Sequence, residues 1–336
     1  MLAEALTLLH LAVPSVQAAP PQFSMLVLDS SGSHLDKVID VNAAGESVGY
    51  IVNASTHATA TYWNAVGERT ILGRERASSS STALAINDSG VMVGYGYGNV
   101  ALPFLPILWT LADGGSPIPG PKDGMGLDVN AGGDILLHAN TPSGFMGILR
   151  KRDGTSVRIE FPSGGVVRAL SNDRRVTGDR TLVGIPAVAF RWSEAGGFED
   201  LEVPLGQLYA SGRGISPDGS VVVGWASDGS KLSAVAWDTN GKARILPSSL
   251  QLEDTRAAAV NAAGWVVGTQ TGQPLGSGFR PFGTLWVGGV AHLLDDLVQT
   301  ESTVEVHTVT SINDSGQIVA SALVDGQPKL IRLDPL

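Results

Sequence analysis

Cysteine is absent from the 336 residues. That removes disulfides, thiol nucleophiles and Cys-ligated zinc or iron–sulfur centres together. Histidine is scarce, with six in all. His10, His34, His57, His138, His292 and His307 show no metal-ligand spacing, so a zinc or non-haem iron site would need ligands from distant segments. No loop has the alternating acidic pattern of an EF-hand, and no Gly-x-Ser-x-Gly elbow joins a strand to a helix. Charged residues make up only 16% of the chain, and 22 basic against 32 acidic side chains give a net charge of −10. General nucleic-acid binders carry the opposite sign. Beyond the first 18 residues, no run reaches the roughly 18 apolar residues that a membrane-spanning helix needs. The expectation is a mature chain with no metal, no cofactor, no nucleic-acid partner and no integral membrane segment.

What is present is a large apolar fraction, 43%, with 42 Gly and 18 Pro. That composition buries a core, but one undivided core would exceed the usual limit of roughly 250–300 residues. A chain of this length either splits into domains or forms a ring or stack of repeats. Residues 1–18 are apolar and end in Val16-Gln17-Ala18, with Pro20-Pro21 following. Small residues at the third-last and last positions suit a signal-peptidase site. No Lys or Arg precedes the run and Glu4 stands where positive charge belongs, as if a misplaced start codon had clipped the charged region. The alternative is an amphipathic helix capping the fold. The export reading makes 1–18 a truncated signal peptide, 22–336 a single domain, and the product extracellular or periplasmic.

A repeat dominates the remainder. An apolar residue, an Asn or Ser, two small or polar residues and a Gly recur at Val41-Asn42-Ala43-Ala44-Gly45, Ile86-Asn87-Asp88-Ser89-Gly90 and Val129-Asn130-Ala131-Gly132-Gly133. A degraded copy, Leu170-Ser171-Asn172-Asp173-Arg174, follows. Ile215-Ser216-Pro217-Asp218-Gly219, Val260-Asn261-Ala262-Ala263-Gly264 and Ile312-Asn313-Asp314-Ser315-Gly316 complete the series. The anchors at 42, 87, 130, 171, 216, 261 and 313 are spaced by 45, 43, 41, 45, 45 and 52 residues. Asn, Asp or Ser at the first turn position bonds back to the backbone and Gly suits the fourth, so each anchor reads as a hairpin between buried strands.

About 20 residues after most anchors comes an aromatic-ended strand: Tyr62-Trp63, Leu108-Trp109, Phe190-Arg191-Trp192, Ala236-Trp237 and Leu285-Trp286. A short fourth strand follows, as at Arg69–Leu72 or Ala243–Leu246. Four strands in 40–45 residues is the arithmetic of a propeller blade. The last unit stops after its third strand, Leu330–Leu333, whereas Met25–Leu28 belongs to no complete unit. The expected fold is therefore all-β: one seven-bladed β-propeller whose N-terminal strand completes the last blade and removes a sheet edge. A six-bladed ring with one aberrant unit and an open solenoid are the competitors.

These units resemble the HAF-family repeats of extracellular bacterial proteins. The likeness rests on Ile-Asn-Asp-Ser-Gly at 86–90 and 312–316, the Val93-Gly94 that follows the first of these, and Ala189-Phe190-Arg191-Trp192. The namesake His-Ala-Phe triplet is never whole; His57-Ala58-Thr59 comes nearest. Ile215-Ser216-Pro217-Asp218-Gly219 is also similar to the turn of TolB-type propeller repeats. The resemblance implies extracellular placement and a propeller form, and it implies no particular activity.

Propellers place ligands at the mouth of the central channel, lined by the innermost strands. Two residues before each anchor stand Asp40, Ala85, Asp128, Ala169, Gly214, Ala259 and Ser311. Five are small, as crowding at the axis requires; Asp40 and Asp128 break the rule. Three before the anchor, Arg168 and Arg213 share a register in successive blades, and Arg256 and His307 lie slightly earlier on their strands. Arginine binds carboxylates and phosphates through its fork, so these six residues are the candidate ligand contacts. Ion pairs that merely join neighbouring blades are the alternative. Five Trp at one blade position read as core, whereas Trp225 and Trp265 fall outside that register. No catalytic residue is evident. The functional expectation is an exported binding module with a protein or carbohydrate ligand at the cell surface. A propeller-scaffold hydrolase or lyase acting on a glycan or anionic small molecule is the alternative, and a purely structural role is a third.

Overall fold

The computed structural model describes residues 19–73, 80–97, 104–142, 144–249, 254–272 and 279–336; the signal-peptide reading of residues 1–18 falls outside the described residues. Each repeat forms one four-stranded antiparallel sheet, and there are seven. Blade 1 consists of Lys37–Val41, Ser47–Val52, Ala58–Trp63 and Arg69–Ile71, in that spatial order from the axis outward. The innermost strands of blades 2 to 7 are Ser81–Ile86, Gly124–Val129, Gly165–Leu170, Tyr209–Ile215, Asp254–Val260 and Val304–Ile312. The six-bladed and solenoid alternatives are thereby excluded.

Blade 7 is made from both ends of the chain. Phe23–Leu28 pairs antiparallel with Gln327–Pro335, from Phe23 opposite Pro335 to Leu28 opposite Leu330. Phe23 is fully buried and its amide and carbonyl bond Leu297 O and Gln299 N at 2.9 and 2.7 Å. The strand left over in the sequence thus closes the ring.

Apolar clusters fill the spaces between blades. Trp63, Trp109, Trp237 and Trp286 are 0–1% exposed. Each donates its indole N–H to a carbonyl in the segment that leads into its own blade or sheet: Asp29, Gly73, Glu202 and Pro247, at 2.6–2.8 Å. The recurrent Trp therefore fills the interblade gap and pins a connecting segment, which is what a buried indole requires. Trp286→Phe keeps most of the volume but orphans Pro247 O, so it is expected to cost about 2 kcal/mol in denaturant unfolding.

The anchor asparagines do more than turn the chain. Asn42 Oδ1 accepts the amides of Ala44 and Glu46, fixing its own hairpin. Its amide group meanwhile donates to the main-chain carbonyl of Asn87 in the next blade at 3.2 Å. Asn87 donates likewise to Asn130 O, Asn130 to Ser171 O, Asn261 to Asn313 O, and Asn313 back to Asn42 O, at 2.7–3.2 Å. A carboxamide can accept inside its own turn and donate across the gap at once, which a carboxylate cannot. Where serine replaces it, in blades 4 and 5, Asn172 N bonds Pro217 O and Arg175 reaches Gly219 O. The degraded fourth anchor also puts Arg174, not Gly, in the left-handed region at φ 66°. Its guanidinium holds Asp134 of blade 3 at 2.7 Å.

Candidate functional site at the channel

All seven innermost strands carry a β-bulge at one place. The register with the second strand shifts between Val38 and Asp40, Ala83 and Ala85, Gly126 and Asp128, Val167 and Ala169, Gly212 and Gly214, Ala257 and Ala259, and Val309 and Ser311. The extra residue is the one three before the anchor: Ile39, Leu84, Leu127, Arg168, Arg213, Ala258 or Thr310. A bulge re-aims side chains. Here both the bulged residue and its successor line a central cavity of about 460 Å³ that opens among the anchor turns. Each inner strand thus contributes three successive residues to the cavity lining, the third being the one just before the anchor.

Four of the six sequence candidates line this cavity: Asp40, Asp128, Arg168 and Arg213. The other two do not. Arg256 lies 3.6 Å from Asp254, and His307 3.4 Å from Glu305, each on its own strand. Arg168 is 3.8 Å from Asp179 within blade 4. The ion pairs made by these candidates are therefore within blades, not between them.

The two aspartates join blades. Asp40 accepts the Ile86 amide of blade 2 at 3.0 Å and the Ser311 hydroxyl of blade 7 at 2.7 Å. Asp128 accepts its neighbour Val129 N at 2.8 Å and Leu170 N of blade 4 at 2.7 Å. Burial pushes the Asp128 carboxyl up to about 7, with the charge of Asp40 adding to the effect. Asp40 is shifted upward too, chiefly by burial. Between an unfolded carboxylate pKa near 4 and the folded value, the native state binds the extra proton. Stability is then greatest below that window and falls as pH rises through it. The unfolding midpoint is expected to drop between pH 5 and 8, and Asp128→Ser should flatten part of that slope, Asp40 carrying the rest.

Arg213 is half-buried, with its guanidinium 5.4 Å from the Trp225 ring centre. Burial lowers its affinity for a proton, and the like charges of Arg168 and Arg256 lower it further. Among the described residues it makes no ion pair, and the nearby carboxylate Asp179 lies 3.8 Å from Arg168. The channel is thus cationic on the side of blades 4 and 5 and carries protonatable carboxyls on blades 1 and 3. Among the described residues no group of three or more His, Asp or Glu could hold a metal ion, and no helix is long and apolar enough to cross a membrane.

The bulge and the second function of the asparagines escaped the sequence reading. The bulged residues share no type, so nothing marks them. The asparagines did carry a signal, since a turn alone would accept Asp as readily as Asn.

No family model matches the chain, and no curated protein does. Solved structures do match. A streptogramin B lyase is 13% identical with a TM-score of 0.56, covering 93% of this chain and 98% of that one. An oligogalacturonate lyase from Vibrio parahaemolyticus is 11% identical at 0.56, covering 93% and 97%. A TolB-type protein from Agrobacterium tumefaciens is 11% identical at 0.50, covering 68% and 89%. At such identities the likeness establishes the propeller scaffold, on which unrelated functions sit.

Proposed function

We propose that this chain is an exported binding module whose central channel receives a carboxylate or phosphate at Arg168 and Arg213. Export is supported by the apolar leader ending in Val16-Gln17-Ala18. The observation that carries the binding reading is Arg213, a half-buried cation without an ion-pair partner among the described residues and beside a second arginine. A partly desolvated guanidinium gains most when an anion supplies the missing charge.

The lyase or hydrolase reading draws on one feature, the Asp128 carboxyl that titrates near neutrality in the same cavity. Such a group suits proton transfer, but both its oxygens already accept backbone amides, so binding is the better-supported function.

The test is thermal unfolding of residues 19–336 against uronates, dicarboxylates and organic phosphates. An anion at 100 times its dissociation constant should stabilise the ring by about 2.7 kcal/mol. Arg213→Met should abolish that shift while leaving the ligand-free protein as stable as before or more so. Stabilisation that persists in Arg213→Met would remove the channel from the account.

A further inference from the structure

One register beyond the bulges, each blade pairs the residue five before its anchor with a second-strand partner. In blades 1, 2 and 3 that partner is Tyr50, Tyr95 or His138, and in blade 5 it is Trp225. Tyr95 belongs to a cluster. Its ring centre is 5.6 Å from Tyr97 and 5.5 Å from Phe104, both edge-on, and Tyr97 and Phe104 are 5.1 Å apart. Tyr97 is 37% exposed and Tyr50, Tyr95 and Phe104 are half-buried. With only 6% aromatic residues in the chain, and the recurrent tryptophans sealed between blades, this is a concentration of accessible ring surface.

The arginines occupy a different arc of the same circle. Arg168, Arg213 and Arg256 come from blades 4, 5 and 6, and Arg213 stands against Trp225. In the register five before the anchor, rings thus stand on blades 1 and 2, and on blades 4 to 6 the arginines reach the same register, Arg168 at Asp179, Arg213 at Trp225 and Arg256 by its own position.

From this juxtaposition we infer that the ligand is an acidic saccharide: a short chain whose sugar faces lie on Tyr95 and Tyr97 and whose carboxylate is taken by Arg213 with Arg168. The inference rests on the anion-binding reading and extends it to a ligand class. A compact anion uses only the arginines. A neutral glycan leaves Arg213 unsatisfied. A flat aromatic acid needs one ring surface close to the cation, whereas here the larger ring surface lies two blades from Arg168 and three from Arg213. Aromatic rings accept the C–H faces of sugars, and the guanidinium fork matches a carboxylate. An oligosaccharide of several units is long enough to use both arcs.

The experiment is titration calorimetry with a linear uronate tetrasaccharide, its carboxyl-reduced neutral counterpart and inorganic phosphate. Wild type, Tyr97→Ala, Tyr95→Phe/Tyr97→Ala and Arg213→Met are compared. The uronate tetrasaccharide is expected to bind at least tenfold more tightly than phosphate, and the reduced form to lose most of that affinity. Tyr97→Ala should weaken the tetrasaccharide about tenfold and leave phosphate unchanged, whereas Arg213→Met should weaken both. Phosphate binding as tightly as the tetrasaccharide, with no effect of Tyr97→Ala, would overturn the saccharide and leave the anion reading intact. Absence of binding by either anion would overturn both. Circular dichroism of each variant separates lost binding from lost fold.

Discussion

Removing residues 1–28 is expected to abolish the single cooperative unfolding transition of the ring. Phe23–Leu28 is the outer strand of blade 7, paired along its whole length with Gln327–Pro335. Its loss bares the edge of that strand and uncovers Leu330, Ile331 and Leu333, all 0–2% exposed in the intact molecule. An unpaired, apolar edge is a template for association. The truncated chain should therefore aggregate or unfold over a broad range in differential scanning calorimetry, where a chain beginning at residue 19 shows one sharp transition. A synthetic peptide of residues 19–28 should restore part of that transition by adding the strand in trans. A truncated chain melting as sharply, and at the same temperature, as the longer one would mean that the N-terminal strand does not hold the ring closed.

The second large effect is expected at the same seam. Arg332 is 7% exposed. Its Nη1 donates to Gly45 O at 2.5 Å and Ala65 O at 2.9 Å in blade 1, while Nε and Nη2 hold Asp334 at 2.7 and 3.1 Å. Blade 7 is thus tied to the turns of blade 1 by one guanidinium. Arg332→Ala strips the donor from the buried Gly45 carbonyl and from Ala65 O and leaves Asp334 with Gln317 as its remaining side-chain donor, at an expected cost of about 3 kcal/mol in denaturant unfolding. Arg332→Lys should recover only part of this, because an ammonium cannot reproduce the planar fork. Arg191 occupies the equivalent place in blade 4, where it donates to Ser220 O and Thr239 O of blade 5 and holds Glu199. Arg191→Ala should therefore be destabilising too. If Arg332→Ala shifted the unfolding midpoint no more than an exposed substitution, the seam would depend on the strand pairing and on the Asn313 and Ser311 bonds to blade 1.

These two arginines show where sequence reading stops. The blade count, the four strands per blade and the borrowed strand were legible, because each follows from a spacing, an alternation or an unpaired segment at a chain end. The buried role of the recurrent Trp was legible for the same reason: one position repeated is one environment repeated. Arg191 and Arg332 sit beside that position but occur in only two blades, so periodicity does not reveal them. Asp40 and Asp128 stood out as exceptions in a row of small residues, and the cavity they line was foreseen. Their acceptance of amides from the next blade was not, since it depends on how blades converge at the axis. Arg256 and His307 were grouped with the channel residues by position alone. The bulge, which sets what enters the cavity, falls two residues after Arg256 and three after His307, so neither enters.

The channel arginines remain the centre of the account, and their stoichiometry tests it most directly. A site on the axis of one ring admits one ligand per chain, whereas scattered surface cations admit several weak ones. Isothermal titration of residues 19–336 with an oligouronate should give one site per chain in wild type and no measurable binding in Arg168→Ala/Arg213→Ala, with the variant still folded. Two or more equivalent sites, or unchanged binding in the double variant, would contradict an anion held in the channel.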